Sequence, residues 1–75
     1  MATETLDAMG MKCPKPLFEV SKRIRQMEEG EELEVFADDP AFKPDIEAWC
    51  RRTGNELVDL VKEEKRTVAT IKKTA

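Results

Sequence analysis

The chain lacks histidine and tyrosine altogether, and its 75 residues include two cysteines, Cys13 and Cys50. Without histidine, Cys-His and Ser-His-Asp catalysis are excluded, as are most metal sites. Two thiols cannot fill a tetrahedral zinc site, and no Cys-x-x-Cys pair is present for thioredoxin-like exchange. We therefore expect no metal site, and any covalent chemistry must use one of two separate thiols.

Long apolar runs are also missing. No stretch approaches the roughly 20 apolar residues that are needed to span a bilayer, so we expect no membrane partner. The first five residues have neither a basic region nor an apolar run, which predicts that there is no secretory signal. We expect a cytoplasmic location, where thiols stay reduced.

Length and charge narrow the function further. A chain of 75 residues fits one domain, predicted over residues 1–75. A chain this short buries about 60–65% of its unfolded surface, so a large internal cavity for a cofactor is not expected. The net charge of −3 argues against direct binding of nucleic acid, which requires a positive surface.

Hydrophobic periodicity predicts the order strand, helix, strand, helix, strand, strand. Strands are predicted at residues 5–8, 32–37, 57–61 and 67–71, and the first helix at residues 17–27. The second helix ends before Gly54, and its first turn is left open because Pro44 lies within it. The economical arrangement is one layer of sheet with both helices on one face, which is an α+β fold.

Cys13 precedes Pro14, and the first helical pattern begins just after it. Proline is favoured at the first helical position, so we expect Cys13 near the N-cap, facing free N–H groups and the positive end of the helix dipole. Lys12 and Lys15 add positive charge, which together with the dipole should lower the pKa of the thiol. Pro16 is expected to stiffen the first turn.

Both cysteines also have a structural interpretation, because cysteine often serves as a small buried hydrophobe. Cys13 lies off the apolar stripe, between Lys12 and Pro14, which favours a functional role. Cys50 shares a helical face with Ile46 and Trp49, which favours a place in the core. A disulfide between the two is disfavoured in a reducing compartment.

Two charged clusters have alternative interpretations. Asp38 and Asp39 most simply form a turn and cap the second helix. Paired carboxylates for acid-base chemistry and docking near Cys13 are the lesser alternatives. The basic residues Lys22, Arg23 and Arg25 of the first helix most simply form a solvated face. They could instead steer an acidic partner toward Cys13.

The segment at residues 6–16, LDAMGMKCPKP, resembles the signature of the TusA/SirA family of sulfur-transfer proteins, Leu-Asp-x-x-Gly-x-x-Cys-Pro-x-Pro. The match includes Gly10, whose flexibility suits the loop before Cys13. The likeness continues at Gly30-Glu31-x-Leu33, Ala37-Asp38-Asp39-Pro40, Asp45-Ile46 and Trp49-Cys50. It extends over nearly the whole chain, from Leu6 to about Ile71.

The resemblance implies a two-layer α/β sandwich with the order β-α-β-α-β-β, in which two helices pack on one face of a four-stranded mixed sheet. It also implies that Cys13 accepts sulfur as a persulfide from a donor protein, a cysteine desulfurase or a rhodanese-like sulfurtransferase, and passes it to an acceptor protein. Members of the family serve tRNA thiolation, molybdenum-cofactor pathways and sulfur oxidation. The pyridoxal phosphate of the desulfurase belongs to the donor, so no cofactor is expected in this chain.

Two other functions remain open at this point. The first is a non-catalytic adaptor or regulatory module that binds a protein through the same surface. The second is a redox sensor in which Cys13 and Cys50 form a disulfide, which the predicted core position of Cys50 argues against.

Overall fold

A computed structural model describes residues 3–12 and 14–74. Their helices and strands follow the predicted order. The elements are β1 (Thr3–Asp7), α1 (Lys15–Gln26), β2 (Glu32–Ala37), α2 (Phe42–Thr53), β3 (Glu56–Lys62) and β4 (Thr67–Lys72). Within the described residues, no helix is long and apolar enough to cross a membrane.

The sheet is mixed, with the strand order β1-β2-β4-β3. β1 runs parallel to β2, because α1 connects them as a crossover, and β4 is antiparallel to both of its neighbours. β3 and β4 form a hairpin, whose turn is closed by a 2.7 Å bond from the N–H of Glu63 to the carbonyl of Arg66. The predicted mixed sheet is therefore confirmed.

Both helices cover the same face of the sheet. Along β2 and β4, side chains on this face are buried and alternate with side chains that remain accessible, as expected for a sheet with one open face. The largest of the fully buried side chains come from both layers. They are Phe42, Leu33, Ile46, Ile71, Val20, Val35 and Pro16.

The structure corrects the start of α1 and gives the start of α2, which the sequence left open. α1 begins at Lys15 with Pro14 as its N-cap, so Pro14 lies one position earlier than the first helical position predicted for it. α2 begins at Phe42, so Pro44 lies in its first turn and does not shorten the helix. A proline is tolerated there because first-turn N–H groups have no intrahelical acceptor.

Candidate functional site

The loop between β1 and α1 is fastened to the end of β2. The N–H of the fully buried Ala8 donates to the carbonyl of Phe36 at 2.7 Å, and the N–H of Gly10 donates to Oδ1 of Asp38 at 2.9 Å. Because β1 and β2 are parallel, the loops that follow them leave the same edge of the sheet. The structure therefore brings Asp38 against the loop that leads to Cys13.

Gly10 makes the sharp turn in this loop. Its φ of +81° lies in the left-handed region, which residues with a Cβ rarely adopt. Two local bonds close the turn around it, from the N–H of Met9 to Oδ1 of Asp7 at 3.0 Å and from the N–H of Met11 to the carbonyl of Ala8 at 3.2 Å. The backbone at position 10 thus requires glycine to make this turn. That Gly10 shapes the site of the Cys13 thiol stays a prediction.

Cys13 itself lies outside the described residues, so its predicted position near the N-cap and its predicted role stay predictions. The residues on either side of it are described. The N–H of Lys15 donates to the carbonyl of Lys12 at 2.9 Å, which closes a turn at the start of α1. Pro14 is exposed and caps the helix without a side-chain hydrogen bond.

The N–H groups at the start of α1 are not free, which corrects the sequence-based expectation. Pro14 and Pro16 have no N–H. The N–H of Lys15 is bonded to Lys12, and those of Leu17 and Phe18 both donate to the carbonyl of Pro14, at 3.1 and 3.3 Å. From residue 14 to residue 18, an anionic sulfur would therefore find no N–H that lacks a carbonyl acceptor.

Positive charge remains available near the start of α1. Lys12 and Lys15 are both exposed, and the first turn of α1 contains no acidic residue that would oppose them. The helix dipole adds a partial positive charge at the same end. The electrostatic effect on the Cys13 thiol stays a prediction, and without free N–H groups it would depend mainly on the two lysines.

We expect that replacing Lys12 and Lys15 together by alanine raises the pKa of the Cys13 thiol, because two nearby cations that favour the thiolate are removed. Alkylation of Cys13 by iodoacetamide near neutral pH should slow by about three- to tenfold, and the difference should shrink in high salt. The measurement is the pH dependence of the alkylation rate.

The matched control for this pair is Arg52→Ala with Lys72→Ala. It removes the same charge at the end of α2 and at the far end of β4. If this control slowed alkylation equally, total charge rather than the position of Lys12 and Lys15 would control the thiol.

Pro16 anchors the start of α1. It is fully buried, and together with Leu17 it faces Phe42 and Asp39 at the start of α2. The two helix N-termini therefore pack against each other at the sheet edge that carries the loop. The sequence analysis predicted no role for Phe42. Phe42 lies one helical turn before Ile46, so extending the apolar stripe of Ile46 and Trp49 by one turn would have indicated its burial.

The second cysteine is a core residue, as predicted. Cys50 is 4% exposed and Trp49 is 6% exposed. Burial raises the pKa of the Cys50 thiol to about 11, because the thiolate would lose its hydration. A thiol with these properties is a poor nucleophile near neutral pH, which weakens the redox-sensor hypothesis.

Of the other residues that the sequence analysis singled out, some form contacts within the fold and others are exposed on its surface. Arg23 is not a freely solvated cation, because its Nη1 lies 3.1 Å from Oε1 of Glu4 and 3.5 Å from the carbonyl of Thr5. Phe18 is 66% exposed on α1.

The side chain of Asp39 accepts a bond from the N–H of Ala41 at 3.2 Å, and the backbone carbonyl of Asp39 accepts the N–H of Phe42. Among the described residues, no three acidic or thiol side chains cluster as metal ligands would.

Asp38 should act on the loop through its hydrogen bond to Gly10. We expect that Asp38→Ala speeds hydrogen exchange of the Gly10 amide by about fivefold, since the loss of one such bond is worth about 1 kcal/mol. Asp38→Asn keeps an acceptor oxygen at the same position and should change exchange much less. The measurement is amide exchange by NMR, with the exchange of core amides in β2 as the internal reference.

Equal exchange in the alanine and asparagine variants would show that this bond does not hold the loop. The earlier hypothesis that Asp38 and Asp39 form a docking site is a separate matter, and it stays a prediction.

Comparison with known proteins identifies a family and relatives that this chain resembles. The family model described as sulfurtransferase TusA matches residues 4–73. A protein of Aquifex aeolicus named as a putative sulfur carrier protein is 44% identical over 71 residues, which is 95% of this chain and 36% of that protein. Two proteins of Neisseria meningitidis, serogroups A and B, carry the same description and are each 46% identical over 59 residues, which is 79% of this chain and 80% of theirs.

The fold also has a solved counterpart. The crystal structure of a SirA-like protein from Desulfitobacterium hafniense superposes with a TM-score of 0.82 over the whole of both chains, at 22% identity. An architecture shared at this low identity establishes the fold alone. The family match over residues 4–73 goes further: this chain belongs to the TusA family of sulfur-carrier proteins.

The chain spans about 36% of the Aquifex relative and about 80% of each Neisseria relative. The match of the family model over residues 4–73 establishes the family, and it confirms the resemblance noted in the sequence. The two helices on a four-stranded mixed sheet agree with it. The activity of a whole protein, together with its substrates and partners, is a matter of proposal.

Proposed function

We propose that this chain carries sulfane sulfur as a persulfide on Cys13, which it accepts from a donor protein and relays to an acceptor protein. The observation that carries the proposal is the family match over residues 4–73, which includes Cys13-Pro14-Lys15-Pro16. The donor would be a cysteine desulfurase or a rhodanese-like sulfurtransferase. Acceptors in tRNA thiolation, cofactor biosynthesis or sulfur metabolism fit the same chemistry.

The transfer needs one nucleophile on this chain. The Cys13 thiolate attacks the terminal sulfur of the donor's persulfide, and a new S–S bond forms as the donor's S–S bond breaks. The donor cysteine leaves as a thiolate, and no net oxidation or reduction occurs. The acceptor later attacks the terminal sulfur on Cys13 in the same way, so that Cys13 returns to the thiolate.

The described neighbours of Cys13 support this role. Exposed Lys12 and Lys15, with the positive end of α1, favour both a thiolate and a persulfide anion. Gly10 and Pro16 fix the chain on both sides of the cysteine, through the bond to Asp38 and through burial against α2. Pro14, as the N-cap of α1, completes the site-shaping residues that we propose.

The proposal assigns no resident cofactor, metal or general base to the chain. Both half-reactions depend on a partner's active site, so the chain acts as a carrier that works with enzymes. We further propose that residues 1–75 form one carrier domain and that it works in the cytoplasm, where a free thiol persists. Its partners would be proteins rather than nucleic acid or a membrane.

The test is intact-protein mass spectrometry after incubation with a cysteine desulfurase and free cysteine. We expect the mass to rise by one sulfur atom and to return to the starting value on reduction. If this donor gives no adduct, thiosulfate with a rhodanese is the second donor to try. Failure with both donors would contradict the carrier proposal and favour the adaptor module, which binds a protein through the same surface without accepting sulfur.

A further inference from the structure

The face of the sheet opposite the helices is open in the described chain. The strand register arranges its side chains in three rows that cross all four strands. The rows are Asp7-Phe36-Val68-Val61, Thr5-Glu34-Thr70-Asp59 and Thr3-Glu32-Lys72-Glu56. None of these side chains is buried, which distinguishes them from the alternating residues on the core face.

This open face is acidic. Among the three rows, the described strands place five carboxylates and a single lysine, Lys72. The helical layer has the opposite sign, because α1 carries Lys15, Lys22, Arg23 and Arg25 against Glu19. A net charge of only −3 therefore hides a separation of charge between the two layers.

An apolar row lies along one end of the open face. Phe36 and Val68 are partly accessible, and Val61 is 44% exposed. This row is at the sheet edge that carries the loop before Cys13, since the carbonyl of Phe36 accepts the N–H of Ala8. The chain's own Arg66 stacks over the Phe36 ring at 4.6 Å, which shows that the row accommodates a cation on an aromatic face.

We propose that the open sheet face is a docking surface for a protein partner with a basic surface. The partner's arginine or lysine side chains would lie against the two rows that contain Glu34, Asp59, Glu32 and Glu56. Its aliphatic side chains would cover Val68 and Val61, beside the Phe36 ring that Arg66 of this chain already covers. Charge complementarity selects this partner, because an acidic partner would be repelled here and attracted to the helical layer.

The inference goes beyond the sulfur-carrier proposal and does not depend on the chemistry of Cys13. It adds a second surface of opposite charge, so that two partners could be distinguished by the sign of the charge they present. A second copy of this chain, with its basic helical layer placed on the sheet face of the first, is the competing occupant. That head-to-tail contact is heterologous and would produce association that increases with concentration.

The test uses a synthetic amphipathic peptide with lysine and leucine at helical spacing, titrated into the 15N-labelled protein. We expect chemical-shift changes at the amides of Glu34, Phe36, Val61 and Val68, and we expect salt to weaken them. A peptide with glutamate in place of lysine should leave these amides unchanged. The same changes on raising the protein concentration without peptide would identify a second copy as the occupant and overturn the proposal.

Charge reversal locates the surface. Glu34→Lys with Asp59→Lys should weaken binding of the lysine peptide by about tenfold. The matched control, Glu28→Lys with Glu29→Lys, makes the same change in net charge in the exposed loop after α1 and should have a much smaller effect. Equal weakening by both pairs, or no peptide-induced change on the sheet face, would contradict the proposal.

Cys13→Ser serves to separate the two proposals. It should bind the lysine peptide as the unmodified protein does, although it is expected to accept no sulfur. Loss of peptide binding therefore bears only on the docking surface, and loss of the sulfur adduct bears only on the carrier function.

Discussion

Replacing Cys13 by serine is expected to abolish the sulfur adduct that a cysteine desulfurase produces. A serine hydroxyl is far less nucleophilic than a thiolate at neutral pH and cannot form the S–S bond that holds the cargo. The mass of Cys13→Ser should therefore stay unchanged after incubation with the donor and cysteine, while the unaltered protein gains one sulfur atom. Intact-protein mass spectrometry of the two proteins, side by side, makes the measurement.

Cys50→Ser is the natural control, because Cys50 is the other cysteine in the sequence. Burial keeps its thiol 4% exposed and raises its pKa to about 11, so a donor has no access to a thiolate there. Cys50→Ser should keep the full adduct, provided that circular dichroism shows it to be folded. An adduct that persists in Cys13→Ser and disappears in Cys50→Ser would reverse the assignment of the carrier cysteine.

The second large effect is on stability. Phe42→Ala should lower the free energy of unfolding by about 3–5 kcal/mol, since Phe42 is 1% exposed and its loss leaves a cavity between the helices and the sheet. A domain of this size has a total stability of about 4–11 kcal/mol, so a large part of it would be lost. Urea denaturation followed by circular dichroism gives the two free energies.

Phe18→Ala is the matched control for this variant. It is the same substitution in the other helix, at a side chain that is 66% exposed. We expect it to change the free energy of unfolding by less than about 0.5 kcal/mol, as most surface substitutions do. Equal losses in the two variants would show that Phe42 does not fill the core as the structure indicates.

Phe42 also illustrates a limit of what can be predicted from the sequence. The apolar stripe of Ile46 and Trp49 was visible, but Pro44 obscured the first turn of α2, and Phe42 was therefore left without an assignment. A proline in the first turn costs a helix little, because the N–H it removes has no partner there. The burial of Phe42 depends on α1 and α2 starting at the same sheet edge, which periodicity along one segment does not reveal.

The start of α1 shows a similar limit. The sequence placed Cys13-Pro14 at a helix N-terminus, and the nearby cations Lys12 and Lys15 are exposed there as expected. The expectation of free N–H groups was wrong, because the carbonyls of Lys12 and Pro14 accept the N–H groups of Lys15, Leu17 and Phe18. Local capping geometry decides this, and a residue pattern does not specify it.

Local patterns in the sequence by themselves determined the order of elements, the core position of Cys50 and the family signature around Cys13. Each of these depends on periodicity or on neighbouring residues along the chain. Only the tertiary structure decided that Asp38 holds Gly10 across 28 positions, that Arg23 pairs with Glu4, and that carboxylates of three strands, β1, β2 and β3, collect on one open face. These features join residues far apart in the chain, and the parallel pairing of β1 with β2 and the register of β4 fix them.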